Sequence, residues 1–135
     1  MTYWLVKSEP GAWSWDDQIK AGTTHWNGVR NYQAANNLKA MKLGDQAFFY
    51  HSVNEKRIVG IVEVVKLYYP DPSDEKGIFG MVDVKAVKAL PKPVGLEQIK
   101  NDPGLSHLAL VRQSRLSVMP VDEAAWKRIC ALGGL

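Results

Sequence analysis

A chain of 135 residues that is 46% hydrophobic carries enough apolar material for one core, so residues 1–135 read as a single domain. Its single cysteine, Cys130, cannot close an internal disulfide, and no stretch approaches the ~20 apolar residues of a membrane-spanning helix. The net charge of +3 and a pI near 9.0 are compatible with a polyanionic partner but do not demand one. No basic leader with an apolar run opens the chain, so a soluble protein is expected, cytoplasmic or, in a eukaryote, nuclear.

Residues 3–7 mix aromatic and branched side chains and read as a strand that Glu9-Pro10-Gly11 ends. Residues 14–20 read as a short helix, with Ser14 as N-cap and Asp17 three positions on in a capping-box arrangement. Residues 23–29 are short and extended. Residues 31–42 form the next helix, because Ala34, Leu38 and Met41 recur on one face. Gly44-Asp45 ends it. Residues 46–51 and 57–69 are the strongest β segments and suggest an antiparallel hairpin around a turn at 54–56. A polar loop follows to Gly77. Residues 79–90 read as another strand, which Pro91-Lys92-Pro93 breaks. Short helical pieces are expected at 96–100 and 105–110, a last strand at 115–119, and a closing helix at 122–132 capped by Asp122. Cys130 follows Trp126 by four residues on that helix and reads as a buried structural thiol. About five or six strands with short helices fit an α+β class, a small mixed barrel or strongly curved sheet.

The side chains that carry chemistry are selective in kind. His25, His51 and His107 show no metal-ligand spacing, and no phosphate loop or nucleophile elbow is present, so no metal, cofactor or catalytic residue is expected. The least unfavourable catalytic pairing is Ser52 with His51 or His107. The richest stretch is Trp26-Asn27-Gly28-Val29-Arg30-Asn31-Tyr32-Gln33. It supplies a flat indole, a five-donor guanidinium and amides that both donate and accept, the inventory for sandwiching a planar heterocycle and reading its edge. The same residues also suit a core Trp beside a helix that Asn31 caps, with Arg30 solvated. Further polar groups lie at Lys7-Ser8, at Tyr50-His51-Ser52, and at Arg112, Gln113, Arg115 and Ser117. A closed barrel would let several of them converge at one mouth. Trp13 reads as core packing, or as a second aromatic wall.

Tyr3-Trp4-Leu5-Val6-Lys7-Ser8-Glu9-Pro10 resembles the opening motif of EVE-domain proteins, and residues 26–34 resemble that family's central signature. Gly44-Asp45, Phe48 to Ser52, Gly60 to Val64, Tyr69-Pro70-Asp71, and Arg115 to Val118 with Pro120 follow in the family's order. The resemblance covers essentially the whole chain. It implies a PUA-like fold, a compact small mixed β-barrel with flanking short helices, related to the YTH readers of methylated adenine. It also implies a nucleic-acid reader, of DNA or RNA, that accepts a flipped modified base, a cytosine above all, in an aromatic-walled pocket. A nuclease or other effector is a possible partner. Carried over, the pocket would be walled by Trp26, with Trp13 or Tyr50 as a second face, and lined by Lys7, Ser8, Arg30, Asn31, His51, Ser52 and Ser117. Arg112 and Arg115 would meet the nucleic-acid backbone. Two positions depart from the family pattern. Ala35 stands where an Arg is frequent, and Phe79-Gly80-Met81 stands where a Trp is frequent. Readings from other classes are a small-molecule or modified-peptide module and an enzyme acting on modified nucleosides.

Overall fold

The computed structural model describes residues 2–135. Strand β1 (Tyr3–Ser8) lies inside the sheet, parallel to β3 (Gln46–His51) and antiparallel to the edge strand β6 (Val118–Val121). Strand β3 turns back into β4 (Arg57–Pro70), which pairs with β5 (Gly80–Gly95), and β5 carries the three-residue β2 (Thr23–His25) on its far side. The order is therefore β2-β5-β4-β3-β1-β6. The end strands β2 and β6 do not pair, so the expected barrel is reached in curvature and stops short of closure.

Among the described residues, five helices flank the sheet. Helix α1 (Trp15–Ala21) starts at Ser14, where both halves of the capping box form: Ser14 Oγ accepts from Asp17 N, and the Asp17 carboxylate accepts from Ser14 N. Helix α2 (Tyr32–Ala40) buries Ala34, Ala35 and Leu38. Ala35 thus contributes apolar packing. Short α3 (Leu96–Lys100) and α4 (Ala109–Arg112) lead to α5 (Glu123–Leu132), which Asp122 caps. Cys130, on α5, is partly buried, and burial pushes its thiol pKa up.

The structure departs from the sequence expectation at three elements. Pro91-Lys92-Pro93 does not end β5. Ile58 pairs with Val94 and Gly60 with Ala89, so residues 90–93 bulge opposite Val59 alone. The prolines leave the ladder without ending the strand, and Lys92 N donates instead to Gly133 O at 2.9 Å. The helix expected from residue 105 begins at Ala109, after a run of turns. The last strand begins at Val118 and includes Pro120. Lys7 N donates to Ser117 O, and Tyr3, Leu5 and Lys7 face β6 in alternation. Trp4 and Pro120 therefore form a non-hydrogen-bonded pair, and the nitrogen of Pro120 faces the free edge, where its missing N–H costs nothing. On that same edge the carbonyl of Val118 is taken by Asn37 Nδ2 at 2.7 Å.

Phe49 is the hub of the core. Its ring meets Trp15 and Trp26 edge-on, at centroid separations of 5.2 and 5.4 Å. Trp15 lies so close over β4 that a Cβ at Gly60 would overlap its indole ring. That fixes glycine inside a long strand, where it is otherwise disfavoured. Gly60→Ala is expected to lower the free energy of unfolding by ~1–3 kcal/mol through overpacking, measured as a shifted urea midpoint at unchanged slope.

Candidate functional site

The uncovered seam between the two ends of the sheet holds a cavity of about 520 Å³. Lys7 and Ser8 of β1 and Ser117 before β6 come from one end, and Thr24 and His25 of β2 come from the other. Trp13, before α1, and residues 26–30, before α2, complete the wall. A sheet that closed fully would have filled this space with ladder hydrogen bonds. Its volume lies within the ordinary range for small-ligand clefts.

Trp26 is only 7% exposed, yet it lines this cavity. One part of its indole packs on Phe49 and another faces the hollow, so both readings of the residue hold at once. Trp13 is less buried, and its Nε1 donates to Gln18 Oε1 at 2.9 Å. Ser8 Oγ donates to the carbonyl of Trp13, which ties the aromatic wall to β1. Lys7 sends Nζ to Ser114 O at 2.9 Å, and burial lowers its pKa. Burial of Lys7 and the proximity of Arg30 make the cavity rich in donors; Glu9 and Asn27 add acceptors.

The segment from Trp26 to Arg30 has no helix or strand to hold it beyond one ladder-like bond, Trp26 N to Val82 O at 2.8 Å. It is held by Asp71, whose side chain has no solvent exposure. Asp71 Oδ2 accepts from Gly28 N at 2.8 Å and from Arg30 Nη1 at 3.2 Å, and Oδ1 accepts from Ser73 N and Oγ. Gly28 has φ +80, so only glycine sits there without strain while aiming its N–H inward. Burial alone would raise the Asp71 pKa, but the hydrogen bonds from Ser73, Gly28 and Arg30 outweigh it and pull it to about 2. Arg30 also donates through Nη2 to Ser73 Oγ and lies 5.9 Å from the centroid of Phe79, so it is positioned and not simply solvated.

Six residues expected at a pocket meet in this cavity: Lys7, Ser8, Trp13, Trp26, Arg30 and Ser117. Four do not line it. Asn31 caps α2, with Oδ1 accepting from Ala34 N at 2.9 Å, and lies in a second hollow. Tyr50 is buried below Lys7, whose Nζ stands 5.8 Å from its ring centroid, and burial raises its pKa to about 12. His51 accepts from Trp15 N through Nε2 and so donates from Nδ1 to Glu55, a structural role that occupies both ring nitrogens. Ser52 sits in the turn after β3, and its N–H donates to Ser8 O. The expected backbone contacts Arg112 and Arg115 line the second hollow, of about 320 Å³, with Asn31, Gln33 and Gln113. Neither guanidinium has a carboxylate partner among the described residues. The sequence reading assigned neither His25 nor Asp71 to the pocket. His25 stands at the rim, its Nδ1 3.1 Å from Asp83 Oδ1 and 3.0 Å from Tyr69 OH. Asp71 did carry a signal, the Tyr69-Pro70-Asp71 motif, but its partner Gly28 lies 43 residues away.

The sequence model of the EVE domain matches residues 2–132. The chain belongs to the EVE domain family. A protein of known structure from Agrobacterium tumefaciens superposes with a TM-score of 0.97 at 48% identity, covering 100% of this chain and 94% of that one. The human THYN1 protein, solved in complex with DNA containing 5-methylcytosine, gives 0.89 at 35% identity, covering 100% of this chain and 99% of that one. The YTH domain of the Zygosaccharomyces rouxii MRB1 protein, solved with N6-methyladenosine RNA, gives 0.59 at 15% identity over 98% of this chain and 86% of that one; it shares the fold. The PUA-like EVE architecture expected from the motifs is therefore established for this chain.

Asp71→Asn is expected to destabilise the domain at neutral pH by ~1–3 kcal/mol, because a buried amide meets the same donors with one of its own. A carboxyl depressed on folding contributes stability that is complete above its unfolded pKa near ~4 and lost as pH falls toward about 2. The stability gap between the two proteins, measured by urea unfolding, should therefore narrow below that point.

Proposed function

We propose that this EVE domain binds DNA and reads a modified cytosine that has left its stack, seating the base in the seam cavity. The observation that carries the reading is the cavity itself, which joins two indoles to a set of donors and acceptors on opposed ends of an unclosed sheet. The human relative bound to 5-methylcytosine DNA aligns over the whole of this chain, which supports the same ligand class here.

The chemistry is consistent with a cytosine. Its O2 and N3 accept, matching Lys7, Arg30 and the hydroxyl of Ser117. Its exocyclic amine donates, matching Glu9 or Asn27. Ala12 and Val29 offer apolar surface to a methyl group. Extrusion of the base costs a few kcal/mol, and stacking on an aromatic face returns ~1–3 kcal/mol. Edge hydrogen bonds and phosphate contacts supply the remainder. The unpartnered Arg112 and Arg115 in the second hollow are the proposed backbone contacts. Burying one methyl is worth ~0.8 kcal/mol, so methylation by itself should improve affinity by about fourfold.

Trp26 is too deeply packed for a clean deletion, since truncating a buried Trp costs ~3–5 kcal/mol of stability. Trp13 is the better probe. Trp13→Ala should weaken binding to a duplex oligonucleotide carrying one 5-methylcytosine by ~1–3 kcal/mol, read by fluorescence anisotropy alongside thermal unfolding. Arg115→Ala should weaken methylated and unmethylated duplexes alike and reduce the salt slope by about one. Unchanged affinity in Trp13→Ala would remove the cavity as the site.

A further inference from the structure

Tyr32 is a large aromatic side chain left 67% exposed at the first turn of α2. Neither its function nor its exposure is explained by the core or by the cavity. Its ring leans on Phe79, with centroids 5.1 Å apart and planes 44° apart, and Phe79 takes the Arg30 guanidinium 5.9 Å from its centroid. Asn31, directly before it, caps the helix and fixes the backbone from which the ring projects. Along the chain, Arg30 lines the base cavity, while Asn31 and Gln33 line the hollow that holds Arg112 and Arg115. Through Phe79, 5.1 Å from the Tyr32 ring and 5.9 Å from the Arg30 guanidinium, the ring is held beside a residue of the cavity wall.

We propose that Tyr32 enters the duplex and occupies the gap left by the extruded base. The inference rests on the reading of the cavity as a base site and deepens it. A flipped base leaves two neighbours unstacked, and a flat ring inserted between them restores the lost contact, as wedges do in other bent or opened duplexes. The geometry suits this work. The ring is presented by a capped helix and braced by Phe79, and its chain neighbours line the base cavity on one side and the hollow that holds two guanidinium groups on the other.

The role separates Tyr32 from every residue of the cavity wall. It acts on the duplex from which the base came and not on the base itself. Its loss should therefore show only where there is a stack to refill. The test compares the intact protein, Tyr32→Ala and Tyr32→Phe on three probes: a duplex with a single 5-methylcytosine, its unmethylated twin, and the methylated strand alone. Tyr32→Ala should weaken the methylated duplex by about tenfold or more while changing the single strand by less than about twofold. Tyr32→Phe should bind as the intact protein does. Equal losses on duplex and single strand, or no loss on the duplex, would overturn the wedge while leaving the cavity reading standing. An intact protein that fails to distinguish the methylated duplex from its twin would remove both.

Discussion

A carboxylate stripped of water stays ionised only when donors surround it, and Asp71 meets that condition by recruiting Gly28 and Arg30 from far upstream in the chain. The demand of one buried charge thereby fixes the irregular segment that carries Trp26 and the cavity wall. No ladder of hydrogen bonds could do this, because that segment spans the stretch where the sheet does not close. The positive φ of Gly28, the reach of Arg30 to Ser73 and the turn at residues 71–74 all follow from the same requirement. The seam is thus held by electrostatics in a molecule otherwise held by apolar packing.

Much of the fold was legible because its signals are local. The Ser14 capping box, the Asn31 and Asp122 caps, the β3–β4 hairpin and the alternation along β5 each depend on residues within a few positions of one another. The run at Pro91-Lys92-Pro93 misled because proline breaks a ladder but not necessarily an extended path, and a bulge with a bond to Gly133 carries the chain through. Pro120 was readable only as an edge residue once the register with β1 was known.

The candidate site was half legible. Lys7, Ser8, Trp13, Trp26, Arg30 and Ser117 meet because the two ends of the sheet curl toward each other, which no sequence period reports. Tyr50 and His51 were drawn in wrongly for a physical reason. Strand β3 is buried along both faces from Ala47 to His51, so alternation no longer tells which side chain points toward solvent. Asn31 was ambiguous because an amide that reads a base and an amide that caps a helix are the same residue before the helix start is fixed. Trp26 resolves the opposite way. Its indole is wide enough to serve the core on one side and the cavity on the other, so core packing and cavity lining are not alternatives there.

The free rim of β6 has a consequence for how this protein meets its own copies. Its outward carbonyl at Val118 is already spent on Asn37, and its outward nitrogen at Pro120 carries no hydrogen. A visiting strand laid along that rim would meet one acceptor already taken and one donor missing, so a regular ladder cannot run along it unbroken. A domain left open at one seam is in this way blunted against unwanted extension at the border next to it.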